Sequence, residues 1–93
     1  MTTTLMGRTY VDIGRWWPRE EDGKPLSVYA VYQTIVGTPL EVNRHTLTRA
    51  RDGHLEKGDF ANLKALARLC SQWSGQTITV DDLIIEEHNE LAY

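Results

Sequence analysis

Between Ser27 and Gly75 the chain carries three apolar stripes at three- and four-residue spacing, each opened by a capping residue and closed by a glycine. The first runs Val28, Val31, Tyr32, Ile35 behind Ser27 and ends at Gly37. The second holds Leu47 and Ala50 and ends at Gly53. The third runs Leu63, Leu66, Ala67, Cys70, Trp73 behind Asp59 and ends at Gly75. Such spacing predicts helices with one buried face. Ser, Asn or Asp at the start supplies an acceptor for the unpaired N–H groups of the first turn, and glycine accepts the left-handed conformation at the end. Three short helices in under fifty residues leave room for one core and one domain, so residues 1–93 are read as a single domain.

The ends are less determined. Residues 8–17 fit two periods: Tyr10, Ile13 and Trp17 are spaced for a helix, while Tyr-Val-Asp-Ile alternates as a strand does. Pro18 disfavours helix at Trp17, and Arg19 to Pro25 is a polar loop with a turn at Asp22-Gly23. Residues 1–25 are accordingly expected to be irregular, or a short strand or helix. Trp16-Trp17 is expected in the core or in a dimer contact. Thr79 caps a last helix, Val80 to about Glu87, with Asp81 and Asp82 favoured by the helix dipole and Leu83 with Ile84 or Ile85 facing inward. Residues 1–7 and 89–93 are expected to be flexible. The fold class expected is all-α, with four or five helices.

The second helix has two possible starts. Thr38-Pro39-Leu40-Glu41 reads as a capping box with proline in its favoured first position, and Asn43 is a cap residue of its own. His54 to Gly58 is a polar connector.

Charge is unevenly spread. The net charge is −3, but residues 1–78 hold all ten Lys and Arg against eight acids, and residues 79–93 hold five acids and no Lys or Arg. Affinity for a polyanion follows the local patch rather than the global sum. Residues 42–51 contain three arginines and no acid. On a helix, His45, Thr48 and Arg49 lie opposite Leu47 and Ala50, with Arg44 at the flank. Arg bonds guanine O6 and N7, Asn bonds adenine N6 and N7, and Thr contacts a base edge or a thymine methyl, so this strip has the chemistry of a major-groove reader. The candidate DNA-binding residues are Asn43, Arg44, His45, Thr46, Thr48, Arg49 and Arg51, with Lys57 placed for phosphate.

The run Val42-Asn-Arg-His-Thr-Leu-Thr-Arg-Ala-Arg-Asp-Gly53 resembles the recognition helix of the phage-repressor-like helix-turn-helix family (the Cro and lambda-repressor, or XRE, type). Val42, Asn43, Thr46, Leu47, Thr48, Arg49, Ala50, Asp52 and Gly53 fall on that pattern. The order continues with Phe60-Ala-Asn-Leu-Lys-Ala-Leu-Ala-Arg-Leu and Ile78-Thr-Val-Asp-Asp-Leu-Ile, and the likeness covers about residues 27–87. It implies a compact lambda-repressor-like domain in which residues 27–53 form the DNA-reading unit. Asn43, Arg44, His45, Thr48 and Arg49 would face the major groove, and the helix from Ser27 to about Val36 would cross the backbone. Two residues depart from the pattern. Glu41 stands where the family makes a tight, often glycine-containing turn, and Pro39 stands where the preceding helix would still run. Either the turn is longer or the helix begins at Thr38, which would turn Asn43 towards the core.

Other chemistry finds little footing. His45, His54 and His88 with the lone Cys70 give no metal-ligand spacing, Cys70 reads as a small core residue, and no Gly-rich phosphate loop is present. The expectation is a non-enzymatic protein without cofactor or metal. One cysteine excludes an internal disulfide, the first residues have neither a basic nor an apolar region and so no secretory leader is expected, and no run reaches the ~18 apolar residues of a membrane span. A cytoplasmic, nucleoid-associated DNA-binding regulator is expected. It would act as a homodimer through the Trp-rich N-terminus or the Ile84–Tyr93 tail. The alternative is a protein-interaction module, an antitoxin or small adaptor, whose acidic tail meets a basic partner.

Overall fold

A computed structural model of the chain describes residues 5–90. In chain order these form β1 (Leu5–Val11), a single 3-10 turn (Gly14–Trp16), α1 (Val28–Ile35), α2 (Arg44–Arg51), α3 (Phe60–Ser74), α4 (Val80–Leu83) and β2 (Ile84–Glu90). The expectation of an all-α fold is overturned. The two strands pair antiparallel, from Val11 opposite Ile84 out to Leu5 opposite Glu90, and make a two-stranded sheet beside four helices.

The physical cause is at the C-terminal end. The last helix does not run to Glu87; it stops after one turn, and Ile84 is already extended at φ −89, ψ 123. Ile84 and Ile85 are adjacent β-branched residues, which suit a pleated surface better than a helix. Opposite them stand Val11 and Tyr10. Val11 and Ile84 share a face at the core, while Tyr10 and Ile85 share the other. The expected loose ends are partly strand: residues 5–7 pair with residues 88–90, whereas residues 1–4 and 91–93 lie outside the described residues.

The exit of β1 ties the domain together. Three successive backbone N–H groups, those of Val11, Asp12 and Ile13, donate to the carbonyls of Leu55, Leu83 and Ala50 at 2.7, 3.0 and 3.0 Å. One short segment thereby joins the loop after α2, the end of α4 and the last turn of α2. Leu55 is itself buried, so the connector 54–58 is polar only around it. Two glycines permit this close approach. A Cβ on Gly14 would lie 3.0 Å from the carbonyl oxygen of Arg51, and Gly53 has φ +73 with Asp12 Oδ2 3.1 Å from where its Cβ would be.

The caps anticipated at Ser27, Asp59 and Thr79 are all made. Their side chains accept from the backbone N–H of Ala30, Asn62 and Asp82. Asp82 returns the bond to Thr79 N–H, and these Thr79 bonds hold its carboxyl below the ordinary aspartate range. Ile13, Val31, Val42, Leu47, Leu66, Leu69, Cys70 and Leu83 are the largest fully buried side chains of one core. Burial pushes the Cys70 thiol up to about 12, against the opposing pull of Arg15, which keeps the sulfur protonated at neutral pH. Trp17 is a core residue, edge-on to Trp73 at 5.5 Å between ring centroids. Trp16 is half-buried beneath the Arg15 guanidinium. Among the described residues no helix is long and apolar enough to cross a membrane.

Candidate nucleic-acid interface

Tertiary bonding decides between the two possible starts of α2. Thr38 Oγ1 donates back to the Ile35 carbonyl and accepts from Leu40 N–H. Glu41 accepts from Gly37 N–H and from the Tyr32 hydroxyl. The residues of the first capping box thus fasten the turn to the end of α1. Burial and the Glu41 carboxylate hold the Tyr32 phenol above its ordinary value, so it remains a donor. The helix opens at Asn43, whose Oδ1 accepts from Thr46 N–H at 2.8 Å. Val42 just before the cap and Leu47 in the second turn are both buried, at the positions of a hydrophobic staple. The connection between α1 and α2 spans residues 36–43 and is longer than a tight turn.

That arrangement buries Leu47 and Ala50 and leaves His45 and Arg49 exposed on the opposite side of α2. Arg44 is exposed at the flank towards α1, its guanidinium 6.0 Å from the Tyr29 ring and 5.9 Å from the Tyr32 ring. Thr48 is half-buried, and its hydroxyl donates to the Arg44 carbonyl, which leaves its oxygen as an acceptor. Thr46 is half-buried on the other flank. Arg49 donates to the His54 carbonyl at 2.6 Å, and Lys57 is exposed beside it in a cleft they share with Leu55 and Glu56.

Two of the sequence candidates are committed elsewhere. Asn43 gives its oxygen to the cap, so it retains only its amide N–H groups for a base edge and cannot make the two-bond contact with adenine. Arg51 forks onto Asp52 at 2.9 and 3.4 Å and lies over the Trp17 ring at 5.7 Å. The Arg51 bond holds the Asp52 carboxyl below its usual range. Arg51 thus points away from the strip, its charge already neutralised.

Two residues join the region that sequence reasoning missed. Tyr29 is 59% exposed beside Arg44. Its signal was an aromatic one step past Val28, outside the apolar stripe. Arg8 reaches the far flank from β1 and donates to the Gly53 carbonyl at 2.7 Å. Only the pairing of the chain ends brings it there.

The electrostatic pattern is one-sided. Each carboxylate around α2 is engaged: Glu41 by Tyr32 and Gly37, Asp52 by Arg51, Glu56 by Arg8, Asp59 by its own cap. His45, Arg44, Arg49 and Lys57 have no acidic partner among the described residues. The surface therefore offers donors and positive charge in a band running from Tyr29 through α2 to Lys57. Among the described residues no cluster of His, Cys, Asp and Glu could hold a metal ion. No protein-family model, curated protein or solved structure matches this chain.

Proposed function

We propose that this protein binds double-stranded DNA sequence-specifically and acts as a transcriptional regulator, with α2 in the major groove and α1 across the adjoining backbone. The observation that carries the reading is the outward face of α2, where the cations have no carboxylate partner among the described residues while every neighbouring carboxylate is engaged. Guanidinium groups not neutralised by a carboxylate are what guanine O6 and N7 and the phosphates require, and nearby free carboxylates would repel the duplex.

In this reading Arg44 and Arg49 contact bases or phosphates from the two ends of the helix. His45 and the Thr48 oxygen lie between them, Tyr29 and Lys57 touch the backbone on either side, and Asn43 contributes its amide N–H. A homodimer would set two such helices about one DNA turn, roughly 34 Å, apart. Such a regulator would work at the nucleoid, in the cytoplasm.

The test is binding to a labelled mixed-sequence duplex, followed by fluorescence anisotropy across a range of salt concentrations. The expected result is binding at about 50 mM salt that weakens as a power of the salt concentration, since each neutralised phosphate releases counterions. No binding at that salt would contradict the proposal and leave protein interaction through the acidic C-terminal strand as the reading to pursue.

A further inference from the structure

At the far end of α2 three elements bring cations to one place. Arg8 of β1 donates to the Gly53 carbonyl at 2.7 Å, and Arg49 of α2 donates to the next carbonyl, that of His54, at 2.6 Å. The two guanidinium groups are thus tethered to consecutive carbonyls. With His54 and Glu56 they line an open cleft of about 270 Å³. Lys57 lines the adjoining cleft with Arg49, Leu55 and Glu56. Glu56 is common to both, and its carboxylate lies 3.3 Å from Arg8 Nε.

Arg8 is held in place independently of Glu56. Its guanidinium stacks on Tyr10 at 4.3 Å, and Glu87 stands 4.0 Å away across the ribbon. Arg49 and Lys57 have no carboxylate partner among the described residues. Glu56 is thus the carboxylate that lines both clefts, beside Arg8 of β1, Arg49 of α2 and Lys57 of the loop that follows. A second anion with more acceptor oxygens would satisfy them better, because a guanidinium fork matches a phosphate as well as a carboxylate.

We propose that Arg8, Arg49 and Lys57 form a seat for one phosphodiester of the DNA backbone beside the reading face of α2, and that Glu56 fills this seat in the free protein as an internal counter-ion. The proposal rests on the DNA-binding reading above. Its consequence is regulatory: a duplex has to displace Glu56 from Arg8, which lowers non-specific affinity without touching base contacts.

The experiment is the same anisotropy titration on one mixed-sequence duplex for the wild type, Arg8→Ala, Arg8→Lys, Lys57→Ala, Glu56→Gln and Arg8→Ala/Glu56→Gln, with circular dichroism to check folding. Losing one phosphate lowers the slope of log affinity against log salt by about 0.9, so between about 50 and about 200 mM salt Arg8→Ala loses about threefold less affinity than the wild type. Arg8→Lys keeps the wild-type slope, because it keeps the charge. Glu56→Gln binds several-fold tighter, and the Arg8→Ala loss is larger in its presence than in the wild type. Among the described residues the Lys57 side chain makes no hydrogen bond or ion pair, so Lys57→Ala is expected to lower the slope without touching the fold and serves if Arg8→Ala fails to fold. An unchanged slope in Arg8→Ala and Lys57→Ala, or strictly additive effects of Arg8→Ala and Glu56→Gln, would overturn the seat while leaving DNA binding in place. A wild type that binds no duplex removes both readings.

Discussion

Replacing Trp17 with alanine is expected to cost about 3–5 kcal/mol of folding stability, the usual range for emptying a buried aromatic site. Trp17 is 4% exposed and meets three other parts of the domain at once. Its ring meets Trp73 of α3 edge-on, its Nε1 donates to the Leu26 carbonyl at 2.7 Å, and Arg51 of α2 lies over its face. Alanine removes the ring from the core, orphans the Leu26 carbonyl ahead of α1, and frees the Arg51 guanidinium. For a single domain with a total stability of about 5–15 kcal/mol, such a loss brings unfolding close to ambient temperature. Urea denaturation followed by far-ultraviolet circular dichroism reads it directly. Trp17→Phe, which retains an aromatic edge against Trp73 and loses the donor, is expected to fall between the two. A midpoint for Trp17→Ala within error of the wild type would mean that the N-terminal segment is not packed as described.

The second large effect is on binding. Arg44→Ala with Arg49→Ala is expected to weaken binding to a duplex selected from random sequence by about a hundredfold, at about 1–3 kcal/mol for each good guanidinium contact. Both residues are exposed and alanine is the strongest helix former, so the fold is expected to survive the change. Arg51→Ala is the informative companion. It removes the same charge from the same helix, but from a side chain already spent on Asp52 and Trp17, and it is expected to change affinity only a few-fold. Anisotropy titrations of the three proteins on one duplex separate the outcomes. A loss in Arg51→Ala of about half that of the double variant on a logarithmic scale, one charge against two, would show that net charge, rather than the outward strip, governs binding.

Much of the helical part of the domain was legible in the sequence because its signals are local. Ser27, Asp59 and Thr79 act as caps, and Gly37, Gly53 and Gly75 all take positive φ at the helix ends. A cap needs only the next three residues, so it reads the same in the chain and in the fold. The strands were not legible for the opposite reason. Tyr10-Val11 and Ile84-Ile85 stabilise each other across most of the chain; the first taken alone fits two periods, and the second follows the Thr79 cap and reads as more helix. The Thr38–Glu41 signal was ambiguous in another way. Its residues do cap, but they cap the end of α1, because Tyr32 and Gly37 are there to receive Glu41. The same division runs through the candidate site. The spacing of His45, Thr48 and Arg49 against Leu47 and Ala50 follows from helix geometry and was legible. The diversion of Arg51 to Asp52 and Trp17, and the arrival of Arg8 beside Arg49, depend on tertiary neighbours that no local pattern reports.

The central claim is that the outward face of α2 meets the duplex, and the measurement that tests it most directly is amide chemical-shift mapping. A mixed-sequence duplex is titrated into 15N-labelled protein at about 50 mM salt, where electrostatic binding is strong. The account predicts that the largest shifts fall on Asn43 to Arg49, with a second set at Tyr29 and from His54 to Lys57, while α3 and the acidic strand β2 stay unmoved. Shifts concentrated on α3 or β2 with α2 silent, or no shifts at all, would contradict it.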